Sequence, residues 1–413
     1  MPKRRASTQI KREDDETPPD VASSRSRTLP ADTSDGVPSP DSPPSSPPAA
    51  TGLFEGQGQF VFDPHGDLQL RVTGVSTSIV SGTSLEVESH RSVVFRVSSE
   101  VLEFTSPKWR ALVRSDNPSD HRPRVWETEI CANPEALRLL LNLMHGDIDS
   151  VPNRLITLKN LLDIIFLAEK YDSLTLLRPR AAAWRTSLDG VLGLRGKEHN
   201  PEDLGRALCI AWWLGDTQRT LEALKRIAMN SSVSKGGCLV IPGERLRYRF
   251  NGMDSDPMIK LDVVSRMTRK VMIIELHSFW KATLKGLDGS NATGCVRCRA
   301  PDVSLEERRK CEGSILGSLV QKMVHKQLWP FPDPHSITSS PEDFKRQLLS
   351  LEPAAASGAL HGASCGVVVE NHPSDGMIRR LERIHPTLLE SQLQELRVNA
   401  HKLGLPATAP ISC

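Results

Sequence analysis

The stretch "FRVSSEVLEFTSPKWRALV", Phe95 to Val113, changes its hydrophobic period without a Gly or Pro to mark the change. Phe95 and Val97 alternate with polar neighbours, which predicts a half-buried strand. Val101, Leu102 and Phe104 then recur at helical spacing. Pro107 interrupts them, and Trp109, Leu112 and Val113 start a second apolar stripe. The pattern predicts one short strand and two short helices meeting at Pro107, packed tightly around a bulky indole.

Working outward, "GDLQLRV" (Gly66–Val72) sets Leu68, Leu70 and Val72 on one face of a strand. "SLEVESHRSVVFRV" (Ser84–Val97) predicts one or two more, with a turn-like interruption at Ser89–Ser92. Between them, Thr73–Ser84 ("TGVSTSIVSGTS") reads as a long polar loop. "RVWETEI" is a further short strand. Asn133 is placed to cap "PEALRLLLNLMHG", with Pro134 at the first helical position and Gly146 as the stop. Thr157 caps the strongest helix of the chain, "TLKNLLDIIFLAEKYD", where Leu158, Leu161, Leu162, Ile165, Phe166 and Ala168 form a wide apolar face. "LLRPRAAAWRTSL" predicts another helix from about Pro179.

Taken in order, these elements resemble the BTB/POZ domain, particularly its fungal form. The likeness is carried by "GDLQLRV", "FRVSSEVLEFTSPKWRALV", "NPEALRLLLNLMHG", "LLDIIFLAEKYD" and "LRPRAAAW", and it covers roughly residues 60 to 188. In that family a Ser-Pro-x-aromatic-Arg turn buries its aromatic in the core; Ser106, Pro107, Trp109 and Arg110 match it here. Two features depart from the family: Ser98 stands where many members have His, and the Thr73–Ser84 segment is long and polar. The resemblance implies an interaction module that pairs with itself or with other proteins, some members being adaptors of cullin ubiquitin ligases.

The flanks differ in character. Residues 1 to about 55, with "DTSDGVPSPDSPPSSPPAATG" as their clearest part, are rich in Pro, Ser, Asp and Thr. They offer too little apolar surface to offset the entropy of ordering, so a disordered tail is expected. "NPEDLGRALCIAWWLGDTQRTLEALKRIAMNSS" predicts two helices broken at Gly215-Asp216. Its adjacent Trp212 and Trp213 either both enter a crowded core or leave one facing a neighbour. "PMIKLDVVSRMTRKVMIIELHSFWKATLKGL" predicts a long helix whose Ile259, Val263, Met267, Val271 and Ile274 form the expected core stripe, with "SRMTRK" on its wet side. "GMIRRLERIHPTLLESQLQELRVNAHKLGL" adds one or two amphipathic helices broken near Pro386. The expected fold class is α+β. A tail occupies 1–55, a BTB/POZ-like domain with a small sheet flanked by short helices 56–190, a helical region 191–290, and a mainly α-helical C-terminal region 291–413.

The chain has 413 residues, net charge +2, 38% apolar and 5% aromatic residues. That balance draws it to neither nucleic acid nor membrane surfaces. No apolar run of about eighteen residues is present. "MPKRRASTQIKREDDE" carries no apolar segment of a secretory signal, which points to an intracellular protein of nucleus or cytoplasm. The eight cysteines are then reduced, and the sequons at Asn230 and Asn291 are chance matches. Lys3, Arg4, Arg5, Lys11 and Arg12 suit a nuclear import signal or merely a basic terminus, and Glu13–Glu16 reads as solvated tail.

One constellation suits metal. Cys295 and Cys298 have the Cys-x-x-Cys spacing of a structural zinc half-site, and His361 and Cys365 would complete a tetrahedral set, with Cys311 and His372 also near in sequence. Reduced surface or core cysteines are the other reading. No catalytic or cofactor-binding residues are assigned: His-Glu-x-x-His is missing. "GVLGLRGK" separates Gly190 from Gly196 by one residue too many for a phosphate loop and has Glu198 where Ser or Thr is required. The chain is expected to be a non-enzymatic scaffold without a small-molecule substrate, its partners being itself, other proteins or a cullin. A nuclear regulator that binds nucleic acid is the alternative from another class.

Overall fold

A computed structural model describes residues 59–78, 87–116, 126–153, 157–192, 201–241, 244–245, 256–287, 304–351 and 373–406. The expected tail at 1–55, with its import signal, lies outside them. Strands β1 (Gln59–Val61), β2 (Leu68–Ser78), β3 (Val87–Val97) and β4 (Trp126–Cys131) form a mixed sheet in the order β1-β3-β2-β4. Its register aligns the alternating residues of three strands: Leu70 lies opposite Phe95 and Thr128, and Val72 opposite Val93 and Ile130, all buried. The other face carries exposed Arg71, Glu127 and Glu129, with Arg71 Nε donating to Glu127. The antiparallel ladder runs from Leu68–Val97 out to Ser78–Val87. It therefore takes in Thr73–Ser78, expected as loop, and Ser89–Ser92, expected as an interruption. Backbone pairing holds these polar arms, and side-chain hydropathy does not register that contribution.

Helices α1 (Ser99–Thr105), α2 (Pro107–Asp116), α3 (Pro134–Met144), α4 (Leu158–Lys170) and α5 (Arg178–Leu192) cover the buried face, with a 3-10 turn at Leu174–Leu177 before α5. The expected caps are in place. Asn133 Oδ1 accepts from the N–H of Glu135 at 3.1 Å while its Nδ2 donates to Asp163 at 2.6 Å, and Thr157 accepts from Asn160 at 3.2 Å. The core continues without a gap into α6 (Pro201–Trp213) and α7 (Thr217–Asn230), where Trp212 is fully buried and Trp213 half-buried against the same cluster.

A three-stranded sheet follows, made of β5 (Ser232–Val233), β6 (Leu239–Ile241) and β7 (Glu244–Arg245). Then come α8 (Asp256–Leu287), α9 (Leu305–His325), α10 (Pro341–Leu349) and α11 (Pro373–Glu382). These helices enclose a second core around Met272, Leu276, Trp280, Ile315, Phe344 and Met377. Of the stripe expected to be core on α8, Val263, Met267 and Val271 face outward instead, 47%, 58% and 43% exposed, while Ile274 is half-buried and the Ile259 side chain lies outside those described. The buried face carries Leu261, Ser265, Thr268, Arg269, Met272 and Leu276. Its polar members conceal it from a hydropathy count. Arg269 is buried rather than on the wet side, because its guanidinium donates to the carbonyls of Ser231 (2.9 Å), Ile337 (2.9 Å) and Ser339 (2.5 Å). It thereby ties α7 and the approach to α10 onto α8, and burial lowers its pKa.

The last helix, α12 (Glu390–Lys402), returns to the first core. Asn399 Nδ2 donates to the Trp212 carbonyl at 3.2 Å and Arg178 Nε to that of Lys402 at 2.8 Å. Gly215, at φ +67°, ends α6 in the left-handed region, and a Cβ there would sit 2.3 Å from Leu396 O and Ala400 N. Gly215→Ala is expected to cost about 2 kcal/mol or more in urea denaturation, combining left-handed strain with displacement of α12. An unchanged midpoint would refute that packing.

Candidate functional site

The helical hairpin α1–α2 is built from short-range chemistry. Ser98 caps α1, its Oγ 3.4 Å from the N–H of Val101, while Asp67, at the start of β2, accepts from Ser99 N at 2.8 Å and Ser99 Oγ at 2.6 Å. Two orphan donors of the first turn are thus satisfied, one by the sheet. At the bend, the Ser106 hydroxyl donates to the carbonyl of Tyr171 and accepts the N–H of Trp109 at 3.1 Å. Arg110 folds back with Nη2 3.0 Å from the Glu103 carbonyl, satisfying the end of α1. The Trp109 indole is fully buried and stacks on Tyr171, ring centroids 4.1 Å apart and planes 18° apart. Burial pushes the Tyr171 phenol up to about 12.

Because the bend is pinned inward, one flank of the hairpin faces out. Phe104, which apolar spacing alone would assign to the interior, is 86% exposed. Glu100, one turn earlier, and Lys108 and Ala111 on α2 are also exposed. The flank therefore offers a large aromatic between an acidic and a basic side chain.

A second feature lies where α3 ends. His145 stands at the C-cap of α3, its Nδ1 2.9 Å from the Leu141 carbonyl. A carbonyl accepts only, so the proton sits on Nδ1, and Nε2 is left to accept the N–H of Ser98 at 3.3 Å. The ring packs on Phe62, centroids 5.6 Å apart. Burial lowers the His145 pKa, opposed by the Leu141 bond and by Asp63. The signal in the sequence is a polar row at helical spacing, Arg138, Asn142 and His145, within the leucines of α3.

The candidate zinc ligands Cys295, Cys298, His361 and Cys365, and the neighbouring His372, lie outside the described residues. Cys311 is buried in α9 among the second core. Among the described residues, no group of three or more His, Cys, Asp or Glu is placed to hold a metal ion, and no helix is long and apolar enough to cross a membrane. Gly190 of the rejected phosphate loop lies inside α5. No protein-family model matches the chain, and no curated protein is detectably similar to it.

Trp109→Ala is expected to lower unfolding free energy by about 3–5 kcal/mol, measured by urea denaturation. A loss below about 1 kcal/mol would mean the indole does not anchor the hairpin. For His145, the folded pKa lies below the unfolded value of about 6.5, so the unfolded chain takes up the proton first. Its contribution to stability is complete above about pH 6.5 and is lost as pH falls below it. His145→Gln is expected to flatten the stability–pH curve below about pH 6.5 relative to wild type; parallel curves would exclude this.

Proposed function

We propose that residues 56–190 form a BTB/POZ-like domain and that the protein is a non-enzymatic protein–protein interaction scaffold which associates through the α1–α2 hairpin. The observation that carries this reading is the pairing of a fully buried Trp109 with Phe104 at 86% exposure on the same hairpin. The element order supports it as well: small sheet, capped hairpin, β4, then α3 to α5. Where the resemblance expects a histidine, Ser98 caps α1 and His145 receives its N–H. The titratable groups nearest the cores serve packing. His145 packs at a tilt on Phe62, His277 stacks on Phe331, and Asp216 caps α7 while pairing with Arg219.

The occupant of the hairpin flank is a second copy of the chain. Glu100 and Lys108 bracket Phe104, so a two-fold contact would set each glutamate near the partner's lysine and bury both phenyl rings. Each ring is worth about 1.5–3 kcal/mol on burial. Light scattering on the purified full chain is expected to give twice the mass of one chain. Phe104→Asp should raise the concentration of half-dissociation about tenfold or more without lowering the melting temperature. A wild-type protein that stays monomeric at tens of micromolar, or a variant that dimerises as well as wild type, would remove self-association through this flank.

A further inference from the structure

We propose that the open edge of β1 takes an extended segment of a partner polypeptide as an added strand, anchored in the cavity between β1 and α3. Among the described strands β1 pairs only with β3, at the end of the sheet. The register fixes which of its backbone groups are used. Phe60 lies opposite Phe95, and the N–H of Phe62 donates to Arg96 O at 2.9 Å. In a parallel ladder alternate residues direct both N–H and C=O to the same side. Phe60 therefore spends both on β3 and Phe62 its N–H, and Val61 turns its pair outward, with its side chain 54% exposed. An outward donor and acceptor on an edge strand is the template for strand addition.

Beside this edge opens a cavity of about 200 Å³ lined by Phe60, Val61, Phe62, Asn142 and His145, with Arg138 and Asp147 completing it. Asn142, only 6% exposed, forms part of the cavity wall. A carboxamide carries a donor and an acceptor side by side, the same pair a peptide group presents, so main chain is the ligand that satisfies both. The phenyl rings of the lining suit an apolar side chain.

Other ligand classes fit less well. Arg138 is held by Glu135 at 2.7 Å, so no free cation awaits a phosphate or carboxylate. Both nitrogens of His145 are engaged, by Leu141 O and Ser98 N–H, so it is not poised for acid–base work. This edge is separate from the hairpin flank, and strand addition there does not require self-association.

The test pans a phage-displayed library of random peptides against the immobilised full chain. The enriched peptide is then synthesised and its affinity read by fluorescence anisotropy. Val61→Pro removes only an outward-facing N–H, a change edge strands tolerate, and leaves the bonds of Phe60 and Phe62 to β3 in place. Affinity is expected to fall about tenfold or more in Val61→Pro and Asn142→Leu, and to hold in Phe104→Asp, which is outside the cavity lining. N-methylation along the peptide, which alters no residue of the protein, should abolish binding at alternate positions only. Recovery of no peptide above an empty support, equal affinity for Val61→Pro, or tolerance of methylation everywhere would each overturn the proposal. So would a loss of self-associated mass in Val61→Pro, which would give the edge to a second copy.

Discussion

The hydroxyl of Ser106 joins two parts of the chain that are far apart in sequence and share no strand. It donates to the carbonyl of Tyr171, where α4 ends, and accepts the N–H of Trp109, where α2 begins. The indole then lies flat on the Tyr171 ring. Nothing in the ladder of the sheet orients the α1–α2 hairpin. Its direction is set by this bend on one side and by the Asp67 carboxylate at the first turn of α1 on the other. With both fixed, the exposure of Phe104 is a geometric consequence rather than a defect of packing. The same fixing brings Ser98 to His145, so the end of α3, the start of α1 and the edge of the sheet meet in one place.

The second half follows a different logic, in which buried polar groups carry direction. Arg269 enters the interior without a carboxylate partner among the described residues and is accommodated by three carbonyls from two segments. A guanidinium suits this because its donors form a planar fork, and a carbonyl set distributes the cost of leaving water. Asp216 does the converse, buried while it caps α7 and pairs with Arg219, which also reaches Asp189 on α5. These contacts fix which face of a helix turns inward where apolar content alone is ambiguous.

That distinction decides what could be read from the sequence. Caps and breaks were legible at Asn133, Thr157 and Gly215-Asp216, because each depends on residues within one turn. The burial of Trp109 followed from the bend around Pro107, again a local matter. The face of α8 was not legible. Val263, Met267 and Val271 give the cleaner apolar row, yet the buried face holds Thr268, which bonds back to the Val264 carbonyl, and Arg269, whose partners are supplied by distant segments. The extent of β2 and β3 was missed for the same reason: their polar arms are held by ladder bonds that no window of side chains reports. β1 is only three residues long, and its role comes from pairing with a strand more than thirty residues away. Of the docking features, Asn142 was missed although a polar residue among leucines marks it, whereas the outward turn of Val61 required the register.

The return of α12 to α6 sets a schedule for making the protein. Trp212 and Asn399 are 187 residues apart in the chain, and Arg178 is 224 residues from its acceptor on Lys402. At synthesis rates of about 5–20 residues per second, roughly ten to forty seconds pass between the emergence of α6 and that of the helix that covers it. Throughout that interval the Leu, Ala and Trp surface around Gly215 faces water and the crowded space outside the ribosome. A nascent chain of this kind has reason to enlist a holding factor at that patch, and a message that slows translation late would lengthen its exposure.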